Sequence, residues 1–328
     1  MERKAVTLVW LKKDLRLQDN EALATALLSS TSVLLFYIYE PKIWADPHYD
    51  ERHLTFVKES IIDLNLSLKK FNTEVFCVTG DIISFFDSLQ KRFNIQSIHS
   101  TEESGLNITY LRDLEIAQYC KKHSLKWYEY QNNGVFRGLK NRKTWRQLWY
   151  DYMNAPLVTP TLHSSKLMPI DEIERLKTDF KNFTLELNEH NFQKGGRIEA
   201  LKWKKSFFEE RIEFYNQYIS KPEMSRYGCS CLSPYFAWGN LSIREVFQQA
   251  KDFKRHSNFK RQANAFISRL RWQSHFIQKF EQEPRMEFEA INKGFLDLEQ
   301  PINKDYVNAW MDGKTGYPLV DASMRCVR

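Results

Sequence analysis

Short runs of apolar, β-branched and aromatic residues alternate with helical periodicity along the first half of the chain. Residues 6–10, 33–39, 74–78, 96–100 and 126–130 have strand character, whereas apolar positions recur every three to four residues over 20–29, 52–70, 82–93 and 110–123. Strands separated by helices at this spacing predict a parallel, doubly wound sheet. Such a sheet gathers ligands beyond the carboxyl ends of its strands, here the loops after Trp10, Tyr39 and Ser100. No G-x-G-x-x-G follows the first strand, so a dinucleotide fingerprint is absent.

The pattern changes after residue 153. A polar, proline-containing and weakly periodic stretch, 154–196, reads as an interdomain connection. Strand signals then fade, and helical periodicity takes over at 198–219, 243–253, 263–281 and 306–311. The expected organisation is an α/β domain at 1–153, the connection at 154–196 and a mainly α-helical domain at 197–328. A chain of 328 residues suits two domains, and its 14% aromatic content can fill large cores.

The net charge of +7 favours an anionic partner without naming nucleic acid. The five cysteines (Cys77, Cys120, Cys229, Cys231 and Cys326) are odd in number and show no C-x-x-C spacing. Neither a disulfide framework nor a zinc site is supported, and reduced thiols in the cytoplasm fit better. No apolar signal segment precedes the first strand and no apolar run reaches membrane-spanning length, so a soluble protein without a membrane partner is expected.

Candidate chemistry concentrates at 227–244. Cys229, Ser230, Cys231, Leu232 and Ser233 precede Pro234, and Ser242 is placed to cap a helix beginning at Ile243. Small hydroxyl residues and free backbone N–H groups suit a phosphate; alone, the stretch reads equally as a capped turn. The order Ser230-x-Leu232-Ser233-Pro234-Tyr235, then Gly239-x-Leu241-Ser242-x-Arg244, resembles the flavin-phosphate loop of the photolyase and cryptochrome family. Cys229 and Cys231 stand where that family usually has Thr and Arg.

The resemblance continues elsewhere. Asp14, Leu15, Arg16, Asp19 and Asn20 match the family's opening pattern, with Lys12 in place of Arg. The segment 101–113 and the stretch with Arg137, Leu139, Arg142, Trp145 and Trp149 are similar to those that follow the fourth strand and close the family's α/β domain. Trp310-x-x-Gly313-Lys-Thr315-Gly316 through Asp321 to Arg325 is the most specific match, and it lacks the upstream glycine of a nucleotide P-loop.

What the resemblance implies is an α/β domain joined to a helical domain that binds FAD. Tyr215, Cys229, Ser230, Cys231, Leu232, Ser233 and Phe266 would hold the flavin; taken alone, Tyr215 reads as core. Arg269, Trp272, Gln273, His275 and Phe276 would face DNA. The spacing also groups Arg269, Arg271 and His275 within two turns as a basic surface, which reads equally as a solvated face. Relatives carry an antenna pigment of folate or deazaflavin type in the first domain, and Glu102 and Glu103 are candidates to touch one. The implied activity is that of a deoxyribodipyrimidine photolyase, a lyase that repairs pyrimidine photoproducts in damaged DNA as a monomer, by light-driven electron transfer. The rival is a cryptochrome, a blue-light receptor without repair, toward which Arg269 leans because many photolyases have Glu there. The end at 326–328 reads as the first turns of a helix, with the rest of the family's flavin cradle beyond it. The expectation is therefore a fragment of poor flavin affinity that exposes apolar surface and aggregates.

Overall fold

In a computed structural model, residues 3–296, 298 and 301–327 are described. Five strands, β1 (Lys4–Trp10), β2 (Ser32–Tyr39), β3 (Phe76–Thr79), β4 (Phe93–Thr101) and β5 (Trp127–Tyr130), form one sheet in the order β3-β2-β1-β4-β5. Every pairing is parallel, with Val9 opposite both Leu35 and His99. The central strands are buried on both faces, which is why β1 and β2 read as continuous apolar runs rather than alternating ones.

Alternation along β1 divides the core. Val6, Leu8 and Trp10 pack with Phe36, Phe85, Phe86 and Ile116 on one face. Val9 and Leu11 face the other side, where Phe56, Val57 and Ile61 of the helix Glu51–Leu68 join them. That second core runs on without a break into Phe207, Tyr235, Phe247 and Phe266 of the helical half. Met1–Pro284 accordingly forms one compact unit, and Arg285–Arg328 forms another.

The segments between the sheet and the later helices hold local structure that the apolar spacing does not show, and the single helix expected at 198–219 is corrected. The stretch 154–196 holds the helix Ile170–Lys177, and it runs back along the sheet through single bridges, Val33 to Leu167 and Val78 to Asn182. The helix expected at 198–219 is interrupted: Arg197–Ser206 is followed by a π turn at Phe207–Arg211, a 3₁₀ turn at Ile212–Phe214 and a last turn at Tyr215–Tyr218. Phe207, Phe208, Ile212 and Tyr215 are all buried, and the wide turn shifts the helical register within this apolar face.

Of the later helices, Ile243–His256 starts at Ser242, whose hydroxyl accepts from the Glu245 amide at 3.2 Å. Lys260–Gln282 buries Ala263, Phe266, Leu270, Ser274 and Gln278, a stripe spaced by three and four. In the second unit, Lys304–Met311 and Pro318–Val327 are helical, and Arg328 lies outside the described residues.

Candidate functional site

The loop after β1 is bonded to the chain itself. Asp14 accepts from the Lys12 amide at 2.9 Å, and Asn20 donates to Asp14 Oδ2 at 3.3 Å. Arg16 donates to Gly239 O at 3.1 Å and to Asn132 Oδ1 at 3.2 Å. Asp19, at φ 48°, accepts from Val158 N at 3.0 Å, from Arg244 Nε at 3.1 Å and from Ser242 Oγ. Burial opposes ionisation of the Asp19 carboxyl, but the hydrogen bonds from Arg244 and Ser242 outweigh it and hold the pKa below the ordinary value. Ser242 and Arg244, grouped by sequence with an anion loop, are thus engaged with Asp19. Gly239, at φ 73°, marks the closest approach, since a Cβ there would sit 2.3 Å from Lys13 O.

The stretch 229–233 is arranged the other way round. Cys231 adopts φ 57° and Leu232 follows at φ −91°, ψ −5°, a left-handed then right-handed pair that turns successive N–H groups to one side. The carbonyls face inward: Arg211, aimed here from the π turn, donates to Cys229 O and to Ser230 O, the latter at 3.4 Å, and Gln193 donates to Cys231 O at 2.8 Å. Among the described residues the amides of Ser230, Cys231 and Ser233 show no partner, and Leu232 N meets only Ser230 Oγ at 3.4 Å. Leu232 is fully buried, so only its backbone is available to a ligand, whereas Ser233 is exposed at the start of the short helix Ser233–Ala237.

Tyr215 and Phe266 are core rings in mutual contact, 5.8 Å between centroids and nearly perpendicular, and both pack on Phe207. Burial, then the nearby Cys229, raises the Tyr215 pKa, with Arg269 pulling it down. Arg269, exposed on the helix Lys260–Gln282, has the same lowering influence on Cys229.

The other residues expected to face DNA divide between two clefts. Arg271, Trp272 and His275 join Arg142, Trp145 and Arg146 around about 400 Å³. Gln273 and Phe276 line a separate cleft of about 440 Å³ with Lys13, Glu103, Asn133 and Phe236. A single basic surface of Arg269, Arg271 and His275 is thereby corrected. Two residues along a helix turn a side chain by about 200°, so Arg269 and Arg271 point apart.

At the carboxyl ends of the strands, side chains fill most of the space. Lys12, Glu40, Trp44, Tyr49, Arg112 and Trp238 leave a cavity of only about 40 Å³. Arg112 bridges Glu40 at 3.0 Å and Glu103 at 2.7 Å. Burial pushes the Glu40 pKa up to about 7 despite Arg112. Glu103 is as far from water, yet Arg112 and Lys13 outweigh burial and hold it well below the usual range.

In the second unit, the Asp321 carboxylate accepts from Thr315 Oγ1 at 2.6 Å, Thr315 N at 2.8 Å and Gly316 N at 3.0 Å. Arg325 donates to Gly313 O at 2.9 Å. The most specific sequence match thus folds as a self-bonded turn between two helices.

Sequence reasoning missed Arg211, Gln193 and Arg146. The first two act on a loop remote in sequence, while the alternation of basic and aromatic residues over 142–150 is a signal that could have found the third.

Two family profiles match the chain: "DNA photolyase" over residues 7–141 and "FAD binding domain of DNA photolyase" over 266–328, leaving residues 215 and 229–233 between them. A chloroplastic/mitochondrial cryptochrome DASH of Solanum lycopersicum is 22% identical across 98% of this chain, which spans 62% of that protein's length. A deoxyribodipyrimidine photo-lyase of Alkalihalophilus pseudofirmus is 23% identical across 97% of this chain and 68% of its own. Among solved structures, an archaeal photolyase from Sulfolobus tokodaii with two FAD molecules superposes with a TM-score of 0.72 at 20% identity, covering 98% of this chain and 70% of that one. Among the described residues, no helix is long and apolar enough to cross a membrane.

Proposed function

We propose that this chain, which belongs to the DNA photolyase and cryptochrome family, binds FAD at the 229–233 loop and acts as a photolyase on pyrimidine photoproducts in DNA. The observation that carries the reading is the inverted loop, with carbonyls held inward by Arg211 and Gln193 and amides of Ser230, Cys231 and Ser233 left for an anion. These groups fit a pyrophosphate: backbone donors, two hydroxyls, and Arg211 and Arg269 nearby. When bound, FAD would supply the light-driven electron transfer that splits a dimer; the protein supplies position and electrostatics. Tyr215 and Phe266 stiffen the wall behind the loop. Trp272 and the basic residues around it would take a lesion that stacks poorly and is therefore cheap to extrude.

The cleft of about 440 Å³ suits a second chromophore far better than the cavity of about 40 Å³, because a ring system needs several hundred Å³. Its Lys13, Asn133 and Phe236 offer a charge, an amide and a ring to such a pigment. Five free cysteines suit a reducing compartment such as the cytoplasm.

A cryptochrome without repair is the second reading. It is favoured by Arg269, a cation where many photolyases carry a carboxylate. The test is flavin uptake followed by illumination with a dimer-bearing oligonucleotide. A structured blue absorption band and light-dependent loss of dimers are expected. A bound flavin with no dimer loss would leave the cryptochrome reading, and absence of any band after incubation with FAD would overturn the loop assignment.

A further inference from the structure

Two of the five cysteines, Cys229 and Cys231, share one loop. Cys77 and Cys120 are buried in the cores on opposite faces of the sheet, and Cys326 is exposed in the second unit. Residues two apart on an extended chain point their side chains the same way, and Cys229 is extended at φ −85°, ψ 161°. The Cys231 side chain folds back toward it, with Sγ 3.7 Å from Cys229 O and 3.9 Å from Arg226 O. Both thiols are half-buried rather than sealed in the core. After burial, the Cys231 sulfur is the largest influence on the Cys229 thiol; the two raise its pKa, with Arg211 and Arg269 pulling against them.

A disulfide needs its two Cα atoms within about 7 Å, and two steps along a chain span at most about that distance. What decides is whether the sulfurs face each other and the backbone can yield. Cys231 Sγ already lies against the Cys229 peptide, and the amides of Ser230 and Cys231 have no partner among the described residues, so re-aiming them breaks no hydrogen bond of theirs. We propose that Cys229 and Cys231 form a dithiol site that small disulfides of the glutathione class oxidise to a disulfide within the loop. The Cys231 thiolate attacks one sulfur of the oxidant and releases its other half as a thiolate. Cys229 then gives its proton to water, and its sulfur attacks that of Cys231 and expels the second thiolate. Two electrons and two protons pass in all: the protein pair is oxidised, and one small disulfide becomes two small thiols. So short a ring gains little from loop entropy, which makes the bond easy to reduce again. Ring closure turns the same amides that a phosphate would use, and in that one respect the inference rests on the flavin reading above.

The test is incubation of the 328-residue chain with glutathione disulfide, followed by acid quenching, alkylation of the remaining thiols and mass analysis of the peptides. The peptide carrying Cys229 and Cys231 should lose two hydrogens and resist alkylation. Cys326, being exposed, should carry a glutathionyl group in the same sample, which shows that the oxidant has acted. Cys229→Ser should stop the reaction at a glutathionyl group that persists on Cys231. Cys231→Ser should slow modification of Cys229 roughly tenfold, because burial holds that thiol protonated. Melting curves check that the variants fold. With FAD at about ten times its Kd, ring formation should slow about tenfold, because only the free loop reacts.

Alkylated thiols at both Cys229 and Cys231, beside a glutathionylated Cys326, would overturn the proposal. So would a glutathionyl group that persists on either loop cysteine of the unmutated chain, or a disulfide from either one to another chain. Ring formation at the same rate with and without FAD would support the pair and break the flavin reading of this loop alone. A chain that takes up FAD while the pair stays reduced after the flavin is removed would break the inference and leave flavin binding intact.

Discussion

The loop after β1 and the loop at 229–233 look alike as sequences, each a polar run between an apolar element and a helix, yet the chain uses them in opposite ways. In the first, carboxylates, an arginine and an asparagine find partners within the chain, and the loop is buried. In the second, one left-handed residue turns carbonyls in and amides out. A rich set of charged side chains therefore marks the structural clip, and a run of small, uncharged residues marks the loop whose amides have no partner among the described residues. What separates the two is whether polar groups are already satisfied.

That contrast can be broken from either end. Arg244→Ala leaves the buried Asp19 carboxylate without its arginine, and a loss of about 3–5 kcal/mol in denaturant unfolding is expected; a loss under about 1 kcal/mol would mean the clip contributes little. Gly239→Ala forces a Cβ to within 2.3 Å of Lys13 O at a positive φ, for an expected cost of about 2–4 kcal/mol in the same measurement.

A third, smaller effect depends on pH. The Asp19 pKa is lowered on folding, so its stabilisation is present above the unfolded carboxylate pKa and fades as pH falls through the folded one. Asp19→Asn should therefore have a flatter acid limb in a stability profile from about pH 5 downward, with an offset at neutral pH. An unchanged acid limb would show that other carboxylates dominate it.

Ser233→Asp sharpens the contrast with the least disturbance. Aspartate at the first turn of a helix is well tolerated, so stability should stay within about 0.5 kcal/mol. A negative charge beside the free amides should nonetheless lower flavin content after incubation with FAD. Equal flavin content in the variant would place the phosphates elsewhere.

Much of the architecture was legible because buried parallel strands leave uninterrupted apolar runs. β1, β2 and the helix at 82–92 needed no tertiary information, and Ser242 capped its helix as its spacing implied. The helix Ile170–Lys177 was hidden because a short amphipathic segment inside a polar stretch has too few apolar positions, Ile173 and Leu176 being its buried ones. The π turn was hidden because the apolar spacing over 207–215 is the same as that of an uninterrupted helix. At the candidate sites, the direction of the side chains was not legible. Leu232 was named for the loop although its side chain is buried, and Arg269 and Arg271 were grouped although the helix turns them apart.

The bonds from Arg244 to Asp19 join groups 225 positions apart. On a ribosome adding about 5–20 residues per second, the first strand would leave the exit tunnel tens of seconds before its loop could meet those partners. Over that interval Asp19 lacks Ser242 and Arg244, and Arg16 lacks the Gly239 carbonyl, so the loop after β1 cannot take its buried form. The order of synthesis thus sets the order of closure: β1 can meet its neighbours β2 and β4 early, while the loop after it closes late. Slow, long-range closure of this kind makes the nascent chain a client for chaperones during that wait.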